Sequence, residues 1–284
     1  MVILFRLGYK PFHLDSIFDA DMYFAGTVER RVREMEEMFQ RDEVKAIVCA
    51  RGGYGCNHLL DRLSVDLIRQ HPKIFVGYSD VSTLLTWMHD AAGLVTFHGP
   101  MITRDFDDSG DLLHAASWKN ALEGREKWDV MAASEAHVDT VKPLVKGKAE
   151  GMLYGGCLSM LVGSIGTPYE IHTDGTILFI EDVNTRPFQI DRMLMQLKLA
   201  GKLKGVRGIV FGEMLHCAPE RDHGYSLMDV FKRVVGDLGI PVAYGLRSGH
   251  VSRKNITLPF GVRALLHVED TVRLTILEAA TVKR

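Results

Sequence analysis

The chain has 284 residues, a formal net charge of −2, and 46% hydrophobic and 25% charged residues, enough for one large or two ordinary domains with ample core. No dense run of lysine and arginine marks a nucleic-acid surface, and no apolar stretch is long enough to span a bilayer. The opening "MVILFRLGYK" has an apolar run too short for a signal segment and no basic residue ahead of it, so a cytoplasmic protein without nucleic-acid or membrane partners is expected.

The first half alternates strand and helix. Thr27 is placed to cap a helix whose apolar face is Val28, Val32, Met35 and Phe39. "KAIVCA" (45–50) reads as a buried strand, followed by the loop "RGGYG" and a short helix through Leu59, Leu60 and Leu63. Ser64 can cap another short helix that stops before Pro72. Ile74, Phe75 and Val76 form a strand, and Val81, Leu84, Leu85, Met88 and Ala92 a helix ended by Gly93, with Gly-Tyr-Ser-Asp at the joint. "LVTFHG" (94–99) is a further strand. Short Gly-rich joints between alternating elements imply a parallel sheet with helices on its faces.

From 124 to 148 the periodicity fades, and the stretch reads as a crossing between domains. The second half opens with "GMLYGGCLSMLVGSIG", a strand, a Gly-Gly joint and a short helix. "GTILFIED" and "VRGIVFGEM" are strands, "PFQIDRMLMQLKLAG" is a helix begun by Pro187, and "SLMDVFKRVVGDLG" is a capped helix. Alternation in 262–268 and 272–276 across Glu269 and Asp270 predicts a β-hairpin. The expected architecture is α/β: a parallel-sheet domain over 1–123, a linker over 124–148, and a mixed α/β domain over 149–284.

A serine at the point of a strand–turn–helix joint has two readings. Ser79 or Asp80 caps the helix, or Ser79 is pushed out of the sheet as a nucleophile. A serine hydroxyl needs an imidazole to take its proton, and the imidazole needs a carboxylate to hold its tautomer. Glu181 and Asp182 end an apolar strand, and His250 lies in the polar loop "RSGHVSRKN". The developing oxyanion needs N–H donors, and Asp80 offers one. "ARGGYG" (50–55) offers another in Gly53, but it carries neither a P-loop Lys-Ser pair nor a complete dinucleotide fingerprint. His98 ends a strand and is placed to line the cleft, and Arg51 and Arg104 are candidates for a substrate carboxylate. Cys49, Cys56, Cys157 and Cys217 form no C-x-x-C pair, so neither a metal site nor a disulfide framework is expected.

The ordered segments "YFAGT", "AIVCARGGYG", "FVGYSDVSTLL", "TFHGPM", "GGCLSML", "LFIEDVNTRPFQIDRML", "GIVFGE" and "GHVSRKNITLPFG" resemble the LD-carboxypeptidase family of serine peptidases. That family includes murein tetrapeptide carboxypeptidases and microcin C immunity proteins. The resemblance runs from about Tyr23 to the C-terminus. It implies Ser79 as nucleophile, Glu181 and His250 as its partners, a site between two domains, no cofactor, and a homodimer. Tyr54, within the "RGGYG" motif, joins Arg51, His98 and Arg104 as a possible substrate contact. Family members usually open with an apolar strand ahead of the segment found here, and "MVILFRLGY" is expected to be its partial substitute unless that strand is absent. The family's G-G-N-L-S motif reads Gly155-Gly156-Cys157-Leu158-Ser159, which exchanges an amide for a thiol and weakens any hydrogen bond made there.

The expected activity is hydrolysis of the amide between the L-centre of a diamino acid and a terminal D-alanine in a murein tetrapeptide, as in peptidoglycan recycling. The alternatives are an immunity-type amidase acting on aminoacyl-nucleotide analogues, and a peptide-binding module without activity.

Overall fold

The structure, a computed structural model, describes residues 2–106, 110, 112–130, 141–219, 221 and 224–282. The apolar opening run forms helix α1 (Val2–Arg6), with Ile3 and Leu4 buried, and contributes no strand to either sheet. Its β-favouring residues yield to packing, since strand preference is largely a statement about fitting a pleated surface.

Local signals then set the elements in turn. Thr27 accepts the Arg30 amide at the start of α2 (Val28–Gln40), and β1 (Ala46–Val48) follows. Ser64 accepts the Leu67 amide at the start of α3 (Val65–Gln70). β2 (Ile74–Gly77) leads through the Ser79 joint into α4 (Ser82–Ala92), which Gly93 ends in the left-handed region at φ 69°. β3 (Thr96–His98), α5 (Ile102–Asp105) and α6 (Ala115–Leu122) complete the first half.

The stretch expected to be a plain linker supplies strand instead. β4 (Trp128–Asp129) and β5 (Lys142–Val145) pair with opposite edges of the second sheet, while 131–140 lie outside the described residues. Short two- and four-residue edge strands carry too little alternation to be read from sequence. The second half continues through β6 (Gly147–Cys157), α7 (Leu158–Gly163), β7 (Thr176–Glu181), α8 (Pro187–Leu199) and β8 (Gly208–Gly212). It closes with α9 (Leu227–Val235), β9 (Val242–Leu246), β10 (Leu258–Phe260), β11 (Arg263–Val268) and β12 (Val272–Ile276).

The first sheet has the order β1-β2-β3-β10 and the second β4-β12-β11-β6-β7-β8-β9-β5. β6 to β9 run parallel, and the predicted hairpin is β11–β12. A division of the chain at 149 is crossed by β10, which leaves the second half to pair antiparallel with β3. Its direction matters for function. Gly77 and Leu258 both sit opposite His98, so the Ser79 joint leaves the sheet at the end where the chain enters β10.

Strand parity aims the carboxylate. β7 is buried along its whole length. Ile177 and Phe179 pack with the core of the first half, whereas Leu178 and Ile180 pack with α8 and α9. Two residues beyond Phe179, Glu181 falls on the first face. Asp182 falls on the other, where it accepts the backbone and side-chain hydroxyl of Ser159 at the start of α7. Among the described residues no helix is long and apolar enough to cross a membrane.

Candidate active site

Ser79 has φ +64°, a conformation that costs a non-glycine residue free energy and recurs at functional turns. The helix-cap reading finds no support. α4 begins after Val81 with no side-chain cap, and Asp80 instead accepts the Cys56 amide at 2.9 Å, fastening the turn at Cys56–Leu59. The loop before that turn presses on the serine. A Cβ at Gly52 would meet Ser79 Cβ at 2.7 Å and Oγ at 2.9 Å, so only glycine lets this backbone pass so close.

His250 arrives from the β9–β10 loop. Its ring stands edge-on to Tyr78, the residue before Ser79, with centroids 5.0 Å apart. Its Nδ1–H donates to Glu181 Oε2 at 2.8 Å, and its backbone N–H donates to the same oxygen at 3.0 Å. A carboxylate only accepts, so Nδ1 carries the proton and Nε2 is left as the basic nitrogen. No hydrogen bond joins the ring to Ser79 in this structure.

Glu181 is fully buried. Burial works to raise its carboxyl, but the hydrogen bond and charge of His250, with His98 close by, outweigh it and hold it down at about 2. Burial likewise works to lower the His250 imidazole, and the bond to Glu181 with the charges of Glu181 and Asp182 raises it above the usual histidine value.

His98 does not line the cleft. It is completely buried, stacked on Phe260 at 5.4 Å and edge-on to Phe179 at 5.2 Å, because the strand end that carries it is covered by β10 and β7. Burial lowers its imidazole, so it is neutral. Its Nδ1 pairs with Ser248 Oγ at 2.9 Å, and its Nε2 stands 3.8 Å from Glu181 Oε1. Arg104 is a tie within the protein: it donates to the Tyr78 hydroxyl at 3.3 Å and to the Val251 carbonyl, next to His250. Arg51 is exposed and, among the described residues, bonded only within its own loop, to Gly52 O at 3.2 Å. Tyr54 is 53% exposed and stacks on Phe24 at 5.8 Å. The amides of Gly53 and Asp80 lie on the two segments that meet at Ser79.

Cys157 pairs with Glu181 across β6 and β7, and its sulfur, a Glu181 oxygen and a His250 nitrogen lie within 4.8 Å of one another. Such a trio has the ligand types of a metal site. In the metal-free protein burial and then the charges of Glu181 and Asp182 push the thiol well above its usual range, and Glu181 Oε2 accepts the His250 ring N–H. The Cys157 amide donates to Ser82 Oγ at 3.0 Å, a contact between the helix that follows Ser79 and the strand beside Glu181. Ser82, Tyr78 and Ser248 were not legible as site residues, since their only sequence mark is adjacency to Ser79 or His250.

Comparison with known proteins identifies related chains. Residues 1–99 match the N-terminal domain of LD-carboxypeptidase, and residues 150–266 match its C-terminal domain. The chain is 41% identical over 259 residues to the probable murein peptide carboxypeptidase of Bacillus subtilis, covering 90% of this chain and 79% of that protein. The muramoyltetrapeptide carboxypeptidase of Oxalobacter formigenes superposes with a TM-score of 0.84 at 30% identity, covering 97% of this chain and 92% of that one. A microcin C7 self-immunity protein in complex with aspartyl sulfamoyl adenosine does so with 0.84 at 28% identity, covering 98% and 89%. With both family domains matched in order and the fold shared with solved members, the chain belongs to the LD-carboxypeptidase family.

Proposed function

We propose that the chain is a serine carboxypeptidase that removes a terminal D-alanine from murein tetrapeptides by hydrolysing the amide at the L-centre of the preceding diamino acid. The observation that carries this reading is the double acceptance by Glu181 of the ring and backbone N–H groups of His250, beside a serine held at positive φ.

In this mechanism His250 Nε2 takes the Ser79 proton as Oγ attacks the scissile carbonyl. The backbone N–H groups of Gly53 and Asp80 stabilise the oxyanion. The C–N bond breaks, His250 returns the proton to the departing D-alanine amine, and the acyl group stays on Ser79. Water then attacks the ester, with His250 again as base, and the shortened peptide leaves. Glu181 stays ionised throughout and stabilises the imidazolium. Arg51, at the exposed mouth of the site, is assigned to the substrate's terminal carboxylate, and Tyr54 to the flank of the peptide. The reading extends, on the family resemblance, to a cytoplasmic homodimer, and light scattering measures the second.

The deciding experiment incubates the protein with a murein tetrapeptide and, separately, with an aspartyl sulfamoyl nucleoside, with and without a fluorophosphonate. Release of D-alanine that the fluorophosphonate abolishes supports the proposal. Turnover of the nucleoside analogue alone transfers the assignment to the immunity-type amidases. Inertness toward both substrates leaves a binding module.

A further inference from the structure

Behind Glu181 two buried polar atoms face each other. His98 Nε2 and Glu181 Oε1 both lack a hydrogen-bond partner among the described residues, and they are 3.8 Å apart. An unpaired buried polar atom is costly, and two that face each other account for one another. The distance is beyond a formed hydrogen bond yet within a small closing motion of one.

The proton positions follow from the neighbours. Ser248 Oγ lies 2.9 Å from His98 Nδ1 and 3.4 Å from the His98 carbonyl. Ser248 can either donate to Nδ1 or accept from it while donating to the carbonyl, so the carboxylate decides: it favours the imidazole proton on Nε2, aimed at Glu181, with Ser248 Oγ donating to Nδ1. The opposite tautomer would set a bare nitrogen lone pair against a carboxylate oxygen. The backbone is shaped around the same contact. Gly249 has φ +92°, and a Cβ there would meet Glu181 Cδ at 2.7 Å and His98 Cε1 at 2.8 Å.

We infer that His98 is a positioning residue for the reaction: through Nε2–H it holds the second oxygen of Glu181, so that the first stays aligned on His250. The arrangement is a four-member chain, Ser248 to His98 to Glu181 to His250, closed off from solvent at the His98 end. His98 never touches substrate. This inference rests on the proposed Ser79 mechanism.

The test compares His98→Phe, His98→Gln and His98→Asn with wild type and with Ser79→Ala. Phenylalanine suits the aromatic sandwich but deletes the donor. A glutamine amide reproduces Nε2, and an asparagine amide reproduces Nδ1. His98→Phe and His98→Asn are expected to lower kcat on the order of 10- to 100-fold with KM little changed, the size typical of outer partners of a catalytic centre. His98→Gln is expected to recover most of that loss. The same order is expected in the rate of phosphonylation by a small fluorophosphonate, which reads Ser79 reactivity whatever the natural peptide is. A silent wild type on the peptide with fast, His98-dependent phosphonylation therefore counts against the substrate and for this inference. Wild-type rates in His98→Phe, or equal losses in the Gln and Asn variants, overturn it. Should His98→Phe fail to fold, the Gln and Asn pair, checked by thermal midpoint, decides alone.

Discussion

The Ser79 joint and the assembly around His250 are built by opposite means. Residues 74–93 make the joint from one strand, one turn and one helix, so everything that strains Ser79 is nearby in sequence except Gly52. The assembly takes His98 from β3, Glu181 from β7, and Ser248 and His250 from the loop ahead of β10. No stretch of sequence contains it. A local device is specified by turn chemistry and glycine, whereas a distributed one is specified by strand order and parity, and fails when either slips. The contrast predicts different responses to damage.

The largest effect falls on the joint. Ser79→Ala removes one oxygen from a partly exposed turn and should cost on the order of 10⁴-fold or more in kcat while thermal unfolding is unchanged. Retained turnover would move the nucleophile elsewhere.

Glu181→Gln attacks the assembly. A neutral amide neither holds the imidazolium nor reliably fixes the tautomer, so a loss on the order of 10⁴-fold at most is expected, read as kcat at saturating peptide. Unlike Ser79→Ala, it should also displace the pH profile.

That profile has a definite sign. Nε2 must be unprotonated to act as base, so kcat/KM rises with pH through the His250 pKa. That pKa is raised, which puts the acid limb on the alkaline side of the usual imidazole value of about 6.5. Glu181→Gln should bring the limb back toward acid, and a limb that stays put would dissociate it from this pair. Stability follows the same ion pair. The raised His250 contributes fully below about pH 6.5 and loses that contribution as pH rises through its folded pKa. The depressed Glu181 contributes above about pH 4.3 and loses it as pH falls toward about 2. Between those two ordinary values the pair is fully formed, and urea midpoints across pH should peak there.

Gly52→Ala tests how far the joint tolerates intrusion. The added methyl must displace Ser79, and a shift near 1 Å in a reacting group costs about 10²-fold in rate. Gly52 lies in a surface loop, so a small change in thermal midpoint is expected beside the large change in kcat. Equal damage to both would mean that the loop holds the fold.

Ser82→Ala breaks the seam between the two regions. It leaves the buried Cys157 amide without its acceptor, which costs about 1–3 kcal/mol of stability, measured by denaturant titration. The rate should fall less than for Gly52→Ala, because neither Ser79 nor His250 is touched directly.

Much of this was legible beforehand where the physics is local. The Thr27 and Ser64 caps, the Gly93 stop, the hairpin and the strand–turn–helix at Ser79 all follow from neighbours in sequence. The motif order also named Glu181 and His250 as partners. What composition and spacing left open was decided by tertiary structure. The apolar start became a helix, 128–129 and 142–145 became edge strands, and β10 crossed back to the first sheet. His98 was turned from a cleft residue into a buried neighbour of Glu181, and Arg104, a candidate for a substrate carboxylate, ties Tyr78 to Val251. The reason is physical: caps and turns depend on backbone groups a few residues away. Which face a strand end presents, and what covers it, depends on partners more than a hundred residues distant whose pairing no local pattern encodes.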